Sequence, residues 1–147
     1  MKTVIIGIGN LLRCDDGAGP HVINILKEKK PALNAFDITM PSIDIIELIK
    51  GYDKAIIIDA VKTGAEPGTI FNVNISQEDD QPIVYSSHGV DLFTTLKLGE
   101  ELYGDELPDE IIVYGIEIQD VLSFDMECTE PVGRSVEKVV DTILENL

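Results

Sequence analysis

Short runs of β-branched residues alternate with amphipathic stretches along the chain, a pattern typical of a wound α/β domain with a mostly parallel sheet. The predicted strands cover residues 3–7, 36–40, 55–59, 69–75 and 111–116. The predicted helices cover residues 16–29, 43–49 and 89–102, and a last helix begins at Pro131. We therefore expect a three-layer α/β/α fold, with a twisted, mostly parallel five-stranded sheet flanked by helices.

Two of these strands have informative patterns. The segment 55–59 contains four consecutive apolar residues before Asp59, which predicts a central strand buried on both faces. The segment 69–75 instead alternates, with Phe71 and Val73 on one side and Asn72 and Asn74 on the other. This alternation predicts an edge strand with one solvated face.

Composition narrows the possible partners. A chain of 147 residues with 44% hydrophobic content has the size of one domain, and we expect a single domain over 1–147. The net charge of −16 repels phosphate backbones and anionic membrane surfaces, so neither nucleic acid nor membrane is an expected partner. Two cysteines and no signal-peptide pattern predict a cytoplasmic protein with reduced thiols.

Three polar residues stand where ligands bind in open α/β sheets, beyond the carboxyl ends of the strands. Asp16 follows a glycine loop after the first strand, Asp59 ends the third, and His88 precedes the third helix. Two carboxylates and one imidazole suit a divalent transition metal and leave coordination positions open. Each also has an ordinary explanation: a helix N-cap for Asp16, a turn cap for Asp59 and an N-cap-like surface position for His88.

Four other reactive residues are assigned ordinary roles. Asp15 is either a carboxylate that supports Asp16 from behind or a solvated neighbour of it, and we favour the solvated neighbour. We expect His21 to be a surface histidine of the first helix. Cys14 is expected to be a plain loop cysteine and Cys128 a packed one. The glycine loop does not predict a dinucleotide site, because Leu12 occupies the third glycine position of the Gly-x-Gly-x-x-Gly pattern.

Several segments resemble the hydrogenase maturation endopeptidases. The opening of that family matches Gly7-Ile8-Gly9-Asn10 followed by Asp15-Asp16-Gly17-Ala18-Gly19-Pro20. Its later elements match Ile56-Ile57-Ile58-Asp59-Ala60, Glu66-Pro67-Gly68-Thr69-Ile70, Ser87-His88-Gly89-Val90 and Val113-Tyr114-Gly115-Ile116-Glu117. One segment departs: many members carry Asp-Gly-Gly after the second strand, where this chain has Met40-Pro41-Ser42-Ile43-Asp44.

The resemblance implies an aspartyl-type endopeptidase that removes the C-terminal extension from the large-subunit precursor of a nickel-iron hydrogenase. It implies that Asp16, Asp59 and His88 are both the metal-contacting and the catalytic residues. The nickel then belongs to the precursor, so neither a stored metal nor an organic cofactor is expected. The precursor is the implied partner.

Two other functions share parts of this pattern. A receiver domain also has acids after its first strand, an aspartate ending its third and a hydroxyl near the next strand end, a set that Asp15, Asp16, Asp59 and Ser87 match here. The long glycine loop before Asp15 and the lack of Lys-Pro after the late strand count against it. A non-catalytic nickel carrier using Asp16, Asp59 and His88 is the other alternative.

Overall fold

The architecture comes from a computed structural model that describes residues 1–39, 44–75, 92–119 and 123–147. Its strands are β1 (Thr3–Ile8), β2 (Asn34–Ile38), β3 (Lys54–Val61), β4 (Ile70–Asn74) and β5 (Glu110–Glu117). Its α-helices are α1 (Ala18–Lys29), α2 (Asp44–Ile49), α3 (Leu92–Tyr103) and α4 (Glu130–Glu145). Single 3-10 turns cover Cys14–Gly17 and Gly104–Glu106.

The strands form one sheet in the order β2-β1-β3-β5-β4. All neighbours are parallel except β4, which runs antiparallel to β5. This confirms the mostly parallel five-stranded sheet. It also confirms β4 as an edge strand with a wet side, since Asn72 is exposed.

Two apolar clusters fill the spaces on either side of the sheet. The first joins Ile56 and Ile58 of β3 to the buried faces of α1 and α4. The second joins Ala55 and Ile57 of the same strand to α2 and α3. Every residue of β3 is buried, which confirms the two-sided burial expected from its apolar run. The helices therefore cover both faces and leave the strand ends as the places where loops meet.

Element boundaries differ from the sequence prediction by a few residues, as hydrogen bonding at the ends decides them. Strand β2 ends at Ile38, whose carbonyl accepts the amide of Gly9, and the predicted strand end at residue 40 lies outside the described residues. Helix α4 begins at Glu130 with Pro131 in its first turn. The predicted start of the third helix, at residues 89–91, lies outside the described residues.

The first helix was predicted to begin at Asp16, and that was wrong. Cys14–Gly17 form a 3-10 turn and α1 begins at Ala18. The Asp16 side chain does not cap either helix, because it turns back and accepts the amide of Asn10. The loop and the helix start are therefore one folded unit.

Glycines allow this unit to lie directly on the sheet. A Cβ on Gly19 would lie 2.6 Å from the Ile8 carbonyl oxygen and 2.8 Å from that of Ile58, so the start of α1 meets the backbones of β1 and β3. Gly9 has φ +148 and meets the backbone of Asp16, leaving no room for a side chain. The glycine pattern thus serves close backbone packing.

None of the helices in the described part of the chain is long and apolar enough to cross a membrane.

Replacing Gly19 with alanine should lower the free energy of unfolding by about 1–3 kcal/mol, because the new methyl group would overlap backbone atoms that cannot move aside. Gly133 is the matched control: it also lies in a helix, but no atom lies within 4 Å of the position that a Cβ would take there. Gly133→Ala should leave stability unchanged or raise it by up to about 1 kcal/mol. Urea unfolding followed by circular dichroism measures both, and equal stability of the two variants would contradict the packing described.

Candidate active site

Asp16 is fixed at the carboxyl end of β1 by the loop that follows the strand. Its side chain is 3% exposed, and its Oδ2 accepts the backbone amide of Asn10 at 2.9 Å. Asn10 in turn accepts the amide of Leu12 through its own side chain, at 3.0 Å. The carboxylate is therefore held by a short loop of fixed shape.

Asp59 lies at the same edge of the sheet on the neighbouring strand. It pairs with Ile8 of β1 on one side and with Gly115 of β5 on the other. Its side chain is 2% exposed. Because side chains alternate along a strand, Asp59 points to the face that Ala55 and Ile57 share with α2 and α3.

The fold brings these two carboxylates to one edge, as the sequence predicted. The backbone of Asp16 lies against Gly9. The preceding residue, Ile8, pairs with Asp59 in the sheet. The 3-10 turn that carries Asp16 contacts β3 directly. Asp16 and Asp59 thus sit on adjacent segments over the carboxyl ends of β1 and β3.

Two sequence-based assignments fall outside the described residues. His88, the expected third metal-contacting residue, lies in the segment 76–91. The Met40–Ile43 part of the departure from the family pattern lies in the segment 40–43. Within the described ranges alone, no group of three histidine, cysteine, aspartate or glutamate side chains has the arrangement of a metal site.

Asp15 is not the solvated neighbour that the sequence predicted. It is fully buried, and its carboxylate accepts the amide of Thr129 at 2.7 Å, the Thr129 hydroxyl at 2.9 and 3.0 Å, and the amide of Gln119 at 2.8 Å. The 3-10 turn explains the error, since it directs two successive side chains to different partners. The sequence did show a second acid next to Asp16. It could not show that Asp15 is buried, because the donors to Asp15 lie more than a hundred residues away in the chain.

Glu117 is a buried carboxylate that received no role from the sequence. It is 2% exposed and ends β5, where it accepts the amide of Thr63 at 3.0 Å and the Thr63 hydroxyl at 2.5 Å. These bonds fix the loop between β3 and β4. The signal that singled out Asp59, an acid at the end of an apolar strand, also applies to Glu117.

Buried charge is divided unevenly between the two edges of the sheet. Among the described residues, the buried acids all lie at the carboxyl edge: Asp15, Asp16, Asp59 and Glu117. The buried lysine, Lys54, begins β3 at the opposite edge. Buried carboxylates are costly unless they are hydrogen-bonded, paired with a cation or bound to a metal, so the carboxyl edge is suited to receive positive charge.

The cysteines and His21 lie around the same loop. Cys14 is buried and has φ +49, so it is more constrained than the plain loop cysteine we expected. Cys128 is half-buried against the α1–α4 cluster, which confirms a packed cysteine. Burial, and then the charge of Asp15, raises the pKa of Cys128 to about 12. His21 is a surface residue as expected, with its Nε2 2.7 Å from the Met126 carbonyl oxygen.

Large apolar side chains are exposed on the two segments beside Asp16. Phe124 is 88% exposed, Leu12 56% and Met126 55%. The two segments are joined by backbone hydrogen bonds, from the Asp125 amide to Leu12 at 3.0 Å and from the Cys14 amide to Asp125 at 2.8 Å. Exposed apolar groups on a chain of net charge −16 are typical of a surface that contacts another molecule. We refer to Leu12, Phe124 and Met126 as the apolar rim.

Comparison with known proteins gives a family match over most of the chain. Residues 20–146 match the model of the HycI hydrogenase maturation protease family. The hydrogenase expression/formation protein HoxM of Azotobacter vinelandii is 27% identical over 98% of this chain and 71% of its own length. A putative hydrogenase maturation protease of Methanocaldococcus jannaschii is 28% identical over 96% of this chain and 93% of its own length.

Solved structures agree with this match. The NiFe hydrogenase maturation protease HybD of Thermococcus kodakarensis superposes with a TM-score of 0.77 and 25% identity, covering 99% of this chain and 98% of that one. The hydrogenase maturating endopeptidase HybD of E. coli has the same fold, with a TM-score of 0.75 and 18% identity over 100% of this chain and 92% of that one. A receiver-like sheet has the order 2-1-3-4-5, whereas the order here is β2-β1-β3-β5-β4, so the fold does not support the signalling alternative.

Cys128 should react slowly with iodoacetamide in the folded protein. With its pKa raised from 9.0 to about 12, its reactive thiolate at pH 8 is roughly a thousandfold less populated than in an ordinary cysteine. The rate, followed by intact mass, should rise about tenfold per pH unit up to at least pH 10, whereas in urea it should level off near pH 9. A native rate that levels off near pH 9 would contradict the burial beside Asp15.

Proposed function

Because this chain belongs to the hydrogenase maturation protease family, we propose that it removes the C-terminal extension of a nickel-iron hydrogenase large-subunit precursor. In this proposal the enzyme recognises nickel already installed in the precursor, through Asp16, Asp59 and His88. The observation that carries it is the position of two buried carboxylates, Asp16 and Asp59, on adjacent segments at one edge of the sheet.

Charge supports a cationic group at this edge. Asp15 and Glu117 accept amide and hydroxyl donors from remote segments, so both hold loops around this edge. Asp16 and Asp59 are the buried acids at the ends of β1 and β3, where ligands of open α/β sheets bind. Carboxylate oxygens with an imidazole nitrogen are suitable ligands for a divalent transition metal.

His88 supplies the imidazole in this proposal. It stands four residues before Leu92, the first residue of α3. Helix α3 packs through Leu92 and Leu96 on the face of the sheet to which Asp59 points. The chain order therefore leads from His88 into a helix that packs on the face of the sheet to which Asp59 points.

The chemistry follows from a metal that arrives with the substrate. Nickel held by Asp16, Asp59 and His88 fixes the scissile region and polarises its carbonyl group or an attacking water. A water oxygen forms the new bond to the carbonyl carbon, the peptide C–N bond breaks, and Asp16 takes the proton of the water and passes it to the departing amine. A precursor without nickel lacks the group that these ligands bind, so processing would report completed nickel insertion.

The apolar rim gives the precursor a place to dock beside this site. Leu12 is two residues from Asn10, whose amide holds the Asp16 carboxylate, so the rim is continuous with the proposed catalytic loop. The partner segment we propose is apolar where it meets Phe124 and basic nearby, to complement the net charge of −16.

Asp16→Asn, Asp59→Asn and His88→Gln should each lower the cleavage rate of nickel-loaded precursor by at least about 100-fold, because each removes a metal ligand or the proton carrier. Intact mass of the precursor gives the rate. Asp141→Asn, an exposed aspartate on α4, is the matched control and should cleave normally. A cleavage rate near that of the control in all three variants would contradict the proposed site, and tight binding of free nickel without cleavage by the wild type would favour the carrier alternative.

Phe124→Ser should raise KM for the precursor about five- to tenfold and leave kcat near its original value, because an exposed anchor contributes on the order of 1 kcal/mol to binding. The unfolding free energy should stay within about 0.5 kcal/mol, since Phe124 is 88% exposed. Leu102→Ser is the control, because Leu102 is also an exposed apolar residue, at 59%, but lies at the C-terminal end of α3 and is not part of the apolar rim. Equal KM values for the two variants would exclude the apolar rim as the docking surface.

A further inference from the structure

We infer that Asp15 is a positioning residue that fixes the catalytic loop and so sets the place of the Asp16 carboxylate. This inference rests on the proposed function, in which Asp16 contacts the substrate. Asp15 itself is fully buried and touches neither substrate nor solvent. Its effect passes through the 3-10 turn Cys14–Gly17 that it shares with Asp16.

The groups hydrogen-bonded to Asp15 reach both of its side-chain oxygens, with the Thr129 amide on Oδ1 and the Gln119 amide on Oδ2. The Thr129 amide and hydroxyl and the Gln119 amide all donate, at 2.7 to 3.0 Å, and both carboxylate oxygens accept. An asparagine has the same shape, but its NH2 group would face one of these N–H donors. Such a pair of donors repels and leaves a buried group unsatisfied.

These donors connect the turn to two other parts of the fold. Gln119 follows β5, and Thr129 is the residue before α4. The Thr129 hydroxyl donates to Asp15 and forms no cap on its own helix. A carboxylate beside the amino end of a 16-residue helix is also favoured by the helix dipole.

The two neighbouring acids therefore have different structural roles. Asp15 holds the turn to β5 and α4, while Asp16 turns back to the amide of Asn10. Loss of the Asp15 bonds frees the turn, and the Asp16 carboxylate with it. Catalysis is sensitive to such a change, since a misplacement of about 1 Å can cost about 100-fold in rate.

Amide hydrogen exchange tests this position without any substrate. In Asp15→Asn, the Asn10 amide should exchange at least about tenfold faster than in the wild type, because its acceptor on Asp16 is no longer held. The Gly51 amide, which donates to the Glu106 carbonyl at 2.9 Å near the opposite edge of the sheet, is the internal control and should not change. Unchanged exchange at Asn10 in a folded variant would overturn the inference.

Kinetics on nickel-loaded precursor give the second readout. Asp15→Asn should lower kcat by about 100-fold with KM within about threefold, under conditions where circular dichroism shows the variant folded. Thr129→Val, which removes the hydroxyl and keeps the shape, should lower kcat by about tenfold, and Thr129→Ser, which keeps the hydroxyl, should be near wild type. If Asp15→Asn does not fold, the comparison of Thr129→Val with Thr129→Ser replaces it. Equal kcat values for these two variants would then overturn the inference.

Failure of the proposed function has a different signature. If the wild type does not cleave the precursor, the function is wrong, and the exchange measurement still decides the role of Asp15. If the wild type cleaves and both Asp15→Asn and Thr129→Val keep its kcat, the function stands and the positioning role is wrong.

Discussion

The contact between the glycine loop and the sheet is the constraint on which the site depends. Gly19 allows the first turn of α1 to lie directly on the backbones of β1 and β3. Gly9 packs so closely against the Asp16 carbonyl that a side chain at position 9 would overlap it. This packing leaves residues 10–17 to cross over the strand ends in a tight path. The positions of Asp15, Asp16 and the exposed Leu12 all follow from that path.

The second constraint is the burial of several carboxylates at one edge. Asp15 and Glu117 draw donors from distant segments and so tie together the loops that follow β1, β3 and β5. Asp16 and Asp59 lie at the same edge, on segments joined by strand pairing and by the contact of Gly9 with the Asp16 backbone. Hydrogen bonds from remote segments thus hold the loops around the two acids that we propose contact the substrate's metal.

The sheet, and the edge at which Asp16 and Asp59 lie, were predictable because both follow from local patterns: apolar strands, and acids at their carboxyl ends. The start of α1 was not, because Asp16 looks like a cap in sequence but bonds to Asn10 in the fold. The burial of Asp15 was missed for a related reason, since its partners Gln119 and Thr129 are remote in the chain. The position of Glu117 at the end of β5 could have marked it as a candidate. Its hydrogen bonds to Thr63 could be identified only from the structure. His88 remains a prediction of the sequence, outside the described residues.

The most direct measurement is the intact mass of a nickel-iron hydrogenase large-subunit precursor after incubation with this protein, in parallel samples with and without installed nickel. The account predicts that a single C-terminal peptide is lost from the nickel-loaded sample and that the nickel-free sample keeps its full mass. Equal cleavage of the nickel-free precursor would contradict it, because Asp16, Asp59 and His88 would then act without the metal they are proposed to recognise.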